Sequence, residues 1–76
     1  MQDKMNIAVL GAGSWGTTLA VLLDENKHRV TMWEFNAEFA QALREDRENK
    51  RFLPGIPVPE SIGIETEIAK AVAVPA

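Results

Sequence analysis

The chain of 76 residues contains no cysteine and a single histidine, His28. The first absence excludes a disulfide or a thiolate metal site and fits a reducing compartment. The second excludes a histidine cluster around a metal ion, and no metal site is expected. Basic residues are also in short supply, eight against eleven acidic ones, for a net charge of −3. Without a basic face, nucleic acid is not expected as a main partner. No apolar run approaches the roughly 20 residues of a membrane span, or a signal-peptide core, so no membrane span is expected. Internal repeats and low-complexity tracts are lacking too. A chain this short buries roughly 60% of its unfolded surface and is marginal alone, so it is one small domain or a piece of a larger one. What remains is a soluble, acidic, cytoplasmic α/β chain.

The pattern of the residues present supports that class. "NIAVL" (Asn6 to Leu10) is a short apolar run stopped by Gly11, of the kind found in buried parallel strands. From Ser14 or Trp15 onward, Leu19, Ala20, Leu22 and Leu23 recur at helical spacing and predict one core-facing stripe. "RVTMW" (Arg29 to Trp33) is a second strand, with Trp33 expected in the core. Asn36 suits a helix N-cap, and Phe39, Ala40 and Leu43 form the next apolar stripe before the charged "REDRENK" turns the chain to solvent. "FLPGIPVPE" has three prolines between Leu53 and Glu60, which predicts an ordered extended loop, neither helix nor central strand. "SIGIE" (Ser61 to Glu65) reads as a third strand. Thr66 then suits the cap of a helical stub, "EIAKA", before "VAVPA". The expected fold is a partial Rossmann domain, a doubly wound parallel sheet that begins with a βαβ unit and is truncated before completion.

The first turn carries the chemistry. Gly11, Gly13 and Gly16 have the G-x-G-x-x-G spacing between a strand and a helix. A dinucleotide pyrophosphate needs unpaired backbone N–H groups and the positive end of a helix dipole. The first glycine permits the tight turn, the second the approach of phosphate, the third close packing of helix on strand. Glu34, 18 residues past Gly16, ends the second strand, where a carboxylate accepts hydrogen bonds from ribose hydroxyls. The plainer alternative is that the glycines only tighten a turn and Glu34 is a solvated strand-end charge. His28 is expected on the surface. Trp15, inside the turn, is placed to pack beside a cofactor or against another domain. The spacing alone leaves NAD and FAD both open.

Two separated motifs then narrow the reading. "GAGSWGTTLAVLLDENKHRVTMW" followed by "RENKRFLPGIPVPESI" resembles the N-terminal part of the NAD(P)-dependent glycerol-3-phosphate dehydrogenases. That family has a G-A-G-[SN]-[WY]-G-T turn, a strand ending in Trp, and an N-x-x-[YF]-L-P-G loop, here Asn49, Phe52, Leu53, Pro54 and Gly55. The resemblance implies an intact enzyme that transfers hydride between a nicotinamide and glycerol 3-phosphate or dihydroxyacetone phosphate, acts as a homodimer, and serves glycerophospholipid biosynthesis. It implies cofactor contacts at Gly11, Gly13, Ser14, Trp15, Gly16, Glu34 and Phe35. Residues 1–76 would be the first part of the dinucleotide-binding domain, with the helical substrate domain absent. No catalytic residue falls within them, so the chain alone is expected to be inactive.

Two departures matter. Family members often have a small residue followed by a basic one after the second strand, where this chain has Glu34 and Phe35, so NAD is expected over NADP. Lys27 stands where glycine is usual after the first helix, and Asn26 is expected to take the left-handed conformation instead. "EIAKA" also runs into "VAVPA" with too few residues for a helical crossover, as if residues were missing between Ala71 and Val74. The remaining alternative is a non-catalytic module that binds a dinucleotide, NAD or FAD.

Overall fold

The computed structural model describes residues 4–72. Strand β1 (Asn6–Leu10), helix α1 (Ser14–Glu25) and strand β2 (Arg29–Trp33) form a βαβ unit. The two strands pair in parallel from Asn6 opposite Arg29 to Leu10 opposite Trp33. Helix α2 (Ala37–Asp46), a short antiparallel pair β3 (Glu48–Asn49) and β4 (Leu53–Pro57), strand β5 (Gly63–Glu65) and helix α3 (Ile68–Ala71) follow. Strand β5 joins the free side of β2 in parallel, so the sheet order is β1-β2-β5. This is one wing of a doubly wound sheet, as the sequence pattern predicts. No helix among the described residues is long and apolar enough to cross a membrane.

The registers place Val9, Met32 and Ile64 in one row across the three strands, and all three are buried. Ala20 of α1 and Ala40 and Leu43 of α2 join the same core with Val58 and Ile62. The opposite row is Leu10, Trp33 and Glu65, where Leu10 is exposed and Trp33 half-buried. Strand β1 therefore departs from the expected fully buried strand. Among the described residues β2 is its sole strand neighbour, and only Val9 of its five residues is buried. Trp33 likewise lies on the less covered face, where its indole Nε1 donates to the Thr66 carbonyl at 3.0 Å.

Several local expectations are corrected. Leu19 and Leu22 are about half exposed, and Ala20, with Val21 and Leu23 partly buried beside it, makes the inward face of α1. The inward line runs through Gly16, Ala20 and Leu23, spaced four and three residues apart, which leaves Leu19 on its flank and Leu22 further round the helix, where it lines a groove with Leu53 and Ile56. Asn26 keeps φ at −84°, and Lys27 takes the left-handed conformation at φ 69°. The amides of Lys27 and His28 donate to Asp24 and Leu23 carbonyls, a Schellman closure that places the left-handed residue one step past the cap. His28 is half-buried rather than a free surface residue, and its Nδ1 accepts from the Met5 amide at 3.1 Å. The proline segment is not merely a loop, because Leu53–Pro57 pairs with Glu48–Asn49. It is a peripheral strand, where missing proline donors are tolerated. Asn49 is fully buried instead of facing solvent. Asn36 caps α2 as expected, accepting from the Phe39 amide at 2.9 Å. Thr66 does not cap α3; Glu67 holds that position without a side-chain bond. The apparent deletion near Ala71 to Val74 lies mostly outside the described residues.

Candidate functional site

The C-terminal ends of β1 and β2 lie side by side, and the chain leaves β1 through Gly11, Ala12 and Gly13 into α1. The Gly11 amide donates to the Trp33 carbonyl at 2.8 Å, which ties the start of the turn to the end of β2. Gly11 has φ 104°, a conformation that disfavours any side chain. A Cβ on Gly16 would overlap the Gly11 carbonyl oxygen and come within 3.5 Å of Val9 Cγ1. Both glycines are thus demanded by the fold.

Gly13 differs. Its φ of −76° suits any L-residue, and a Cβ built there meets nothing within 4 Å. Packing among the described residues gives no reason for glycine at this position. Helix α1 starts here with no side-chain cap and no acidic residue in its first turn. Helix α2, by contrast, has both the Asn36 cap and Glu38. The start of α1 therefore offers unfilled backbone donors and an uncompensated dipole beside open space.

Ser14 and Trp15 in the first turn of α1 and Phe35 just after β2 are exposed, Trp15 to 86% and Phe35 to 76%. Phe35 leans against Trp33, with ring centroids 6.2 Å apart.

Glu34 is buried, at 6% exposure, and is not a free strand-end charge. Its Oε2 accepts from the Asn36 amide at 3.0 Å, and Oε1 sits 3.4 Å from the Ala12 amide. The side chain thus fastens the glycine turn to the entrance of α2. Each carboxylate oxygen has a second lone pair free for a further donor.

Of the seven expected residues, Gly11, Gly13 and Gly16 make the turn and Glu34 reaches it, Ser14 and Trp15 begin α1 and Phe35 follows Glu34; two polar residues outside that set also reach the turn. Thr17 and Asn49 are fully buried directly beneath the turn. Asn49 Nδ2 donates to the Ala12 carbonyl and to Thr17 Oγ1, each at 2.8 Å, and its Oδ1 accepts from the Phe52 amide at 3.0 Å. The available signal was the asparagine that begins the N-x-x-F-L-P-G motif. Nothing local shows that it reaches 37 residues back to the turn.

Comparison with known proteins agrees with this geometry. Residues 6–75 match the sequence model of the NAD-dependent glycerol-3-phosphate dehydrogenase N-terminus. The glycerol-3-phosphate dehydrogenase [NAD(P)+] of Chlorobium chlorochromatii is 51% identical over 69 residues, covering 91% of this chain and 21% of the relative. That of Shewanella oneidensis is 47% identical over 73 residues, covering 96% of this chain and 22% of the relative. The crystal structure of glycerol-3-phosphate dehydrogenase from Coxiella burnetii superposes with a TM-score of 0.84 at 33% identity, covering 91% of this chain and 21% of that one. The chain thus spans about a fifth of the length of the relatives it matches. With its glycine turn, parallel sheet and proline-rich hairpin all in place, the chain belongs to the NAD-dependent glycerol-3-phosphate dehydrogenase N-terminal family.

Proposed function

We propose that residues 1–76 form the first part of a dinucleotide-binding domain that holds the pyrophosphate of NAD. In the intact enzyme, the cofactor accepts hydride from glycerol 3-phosphate or returns it to dihydroxyacetone phosphate. The observation that carries the reading is Gly13: a glycine with no internal packing reason, at the uncapped start of α1, within a chain matched to that family over residues 6–75. The turn around Gly11, Gly13 and Gly16 would hold the two phosphates through backbone N–H groups, with Ser14 beside them. Trp15 would pack along the cofactor or against the rest of the enzyme, and Phe35 along the adenine.

None of these 76 residues is assigned a part in the hydride step. Catalysis would need a helical substrate domain, and the chain alone would not turn over substrate. The intact enzyme would be a cytoplasmic homodimer that supplies the glycerol phosphate backbone of phospholipids.

The test is titration of the chain with NAD, followed by the fluorescence of Trp15 and Trp33. A saturable change is expected, and no response at millimolar NAD would overturn the binding reading. Gly13→Ala is expected to weaken NAD by roughly tenfold or more, since its Cβ occupies the path of the phosphate. Its melting temperature should stay within a few degrees of the wild type, because the Cβ meets no protein atom.

The cofactor form follows from Glu34. A 2′-phosphate brought to the end of β2 would approach a carboxylate already committed to the turn and to the Asn36 amide. Like charges there disfavour NADP. NAD is expected to bind roughly tenfold tighter than NADP in parallel titrations. Tighter NADP binding would remove Glu34 from this role.

A further inference from the structure

Thr17 and Asn49 are polar, fully buried and belong to no part of the expected cofactor contact set. Both N–H groups of the Asn49 amide and its carbonyl oxygen are used, on Ala12, Thr17 and Phe52. A reversed amide would set its oxygen against the Ala12 carbonyl, so the network admits one orientation.

The bond to Ala12 has a geometric consequence. A trans peptide is planar, with its C=O and N–H antiparallel. The carbonyl of Ala12 and the N–H of Gly13 belong to the same peptide. When Asn49 draws that carbonyl inward, the Gly13 N–H is turned the opposite way, away from the buried Asn49. The preceding peptide is held in turn, by the Gly11 carbonyl beneath Gly16 and by the Ala12 amide near Glu34. Glycine at positions 11 and 13 leaves the intervening backbone free to flip, and a flipped peptide would aim a carbonyl oxygen at the ligand phosphate.

We propose that Asn49 is a positioning residue for the dinucleotide site, a buried latch by which the β3–β4 hairpin keeps the Ala12–Gly13 peptide in its phosphate-binding orientation. Thr17 holds the latch in place through its hydroxyl. The proposal rests on the reading of the turn as a pyrophosphate site. It gives the first residue of the N-x-x-F-L-P-G motif a task in ligand binding that is separate from the packing of the hairpin.

The test uses the full chain, with the dissociation constant for NAD and the melting temperature without NAD measured on the same samples. Asn49→Asp keeps the shape and the acceptor for Phe52 but replaces the donor to Ala12 with an acceptor. It is expected to weaken NAD at least roughly tenfold in protein that remains folded at the assay temperature. A folded Asn49→Asp variant with wild-type affinity would overturn the proposal. Should that variant not fold, the Thr17 pair decides. Thr17→Val, which removes the hydroxyl, is expected to weaken NAD by about threefold, and Thr17→Ser, which retains it, to restore wild-type affinity. Equal affinities in both would overturn the latch, since a merely structural role moves the melting temperature and leaves the affinity of folded protein alone. If the wild-type chain binds no NAD, the pyrophosphate reading fails and the proposal falls with it. If the wild type binds and the variants match it, the latch alone fails.

Discussion

Gly16→Ala is expected to abolish the cooperative thermal transition of the chain, or to lower its midpoint by more than about 12 °C, as followed by circular dichroism. The added methyl would occupy the space of the Gly11 carbonyl oxygen, and its neighbour on the other side is Val9. A flexible side chain could step aside at small cost, but this carbonyl is backbone. Its residue is tied to β2 through the Gly11 amide bond to Trp33, so retreat of the carbonyl would pull on the sheet register. The alternative is for α1 to move outward, which would loosen Ala20 against the core. Either response costs about 3 kcal/mol or more, at the upper end for an overpacked site. A domain of this length has a total stability of roughly 4–11 kcal/mol, so this one methyl removes a large share of it. The comparison with Gly13→Ala separates the two glycines: one variant loses the fold, the other only the ligand. A Gly16→Ala melt within about 2 °C of the wild type would show that the helix is not held as close as described.

Met32→Ala should be nearly as severe, for a different reason. Met32 is in β2, the middle strand, between Val9 of β1 and Ile64 of β5, and it is fully buried. Truncation removes three heavy atoms from a site walled by two strands and covered by the helices. The backbone cannot collapse into the gap without breaking parallel pairs on both sides. The expected loss is about 3 kcal/mol, from burial forgone and the cavity left behind. Met32→Leu keeps the volume and should cost less than about 1.5 kcal/mol. Chemical denaturation of the three proteins would check this. Equal losses for alanine and leucine would mean that shape, not buried volume, governs the site.

The exposed residues carry a complementary message. Trp15, Phe35 and Leu10 stand in water near the ends of β1 and β2, while Leu19, Leu22 and Ile56 are exposed along α1 and the hairpin. Single exposed apolar side chains of this kind are ordinary on a protein surface. The sheet has two strand edges with no partner among the described residues, the outer sides of β1 and β5.

Much of this was legible in the residue order. Strand, glycine turn, helix and strand follow from local patterns, because apolar periodicity and backbone freedom act over a few residues. Gly11 and Gly16 were assigned their tasks from spacing, and the asparagine cap of α2 from its neighbours. The family followed from two motifs whose separation no short pattern would produce by chance. The errors arose where a residue's surroundings come from far along the chain. Leu19 and Leu22 were placed in the core because periodicity reports an apolar stripe, whereas the line that meets the sheet, through Gly16, Ala20 and Leu23, is set by the packing of the helix. Trp33 was expected in the core as part of the second strand, but α1 and α2 cover the face of the sheet that carries Met32. Glu34 was read as a ribose acceptor, with a solvated strand-end charge as the alternative; burial removes that alternative and adds a tie between the turn and α2 that the sequence did not show. Asn49 was seen only as part of a loop motif. Its partners Ala12 and Thr17 are more than 30 residues away, and hydrogen bonds over that distance exist only once the sheet and helices have packed. Short-range sterics and periodicity fix the elements and the turn; the buried polar contacts that hold the turn in one shape depend on long-range closure, which no local pattern encodes.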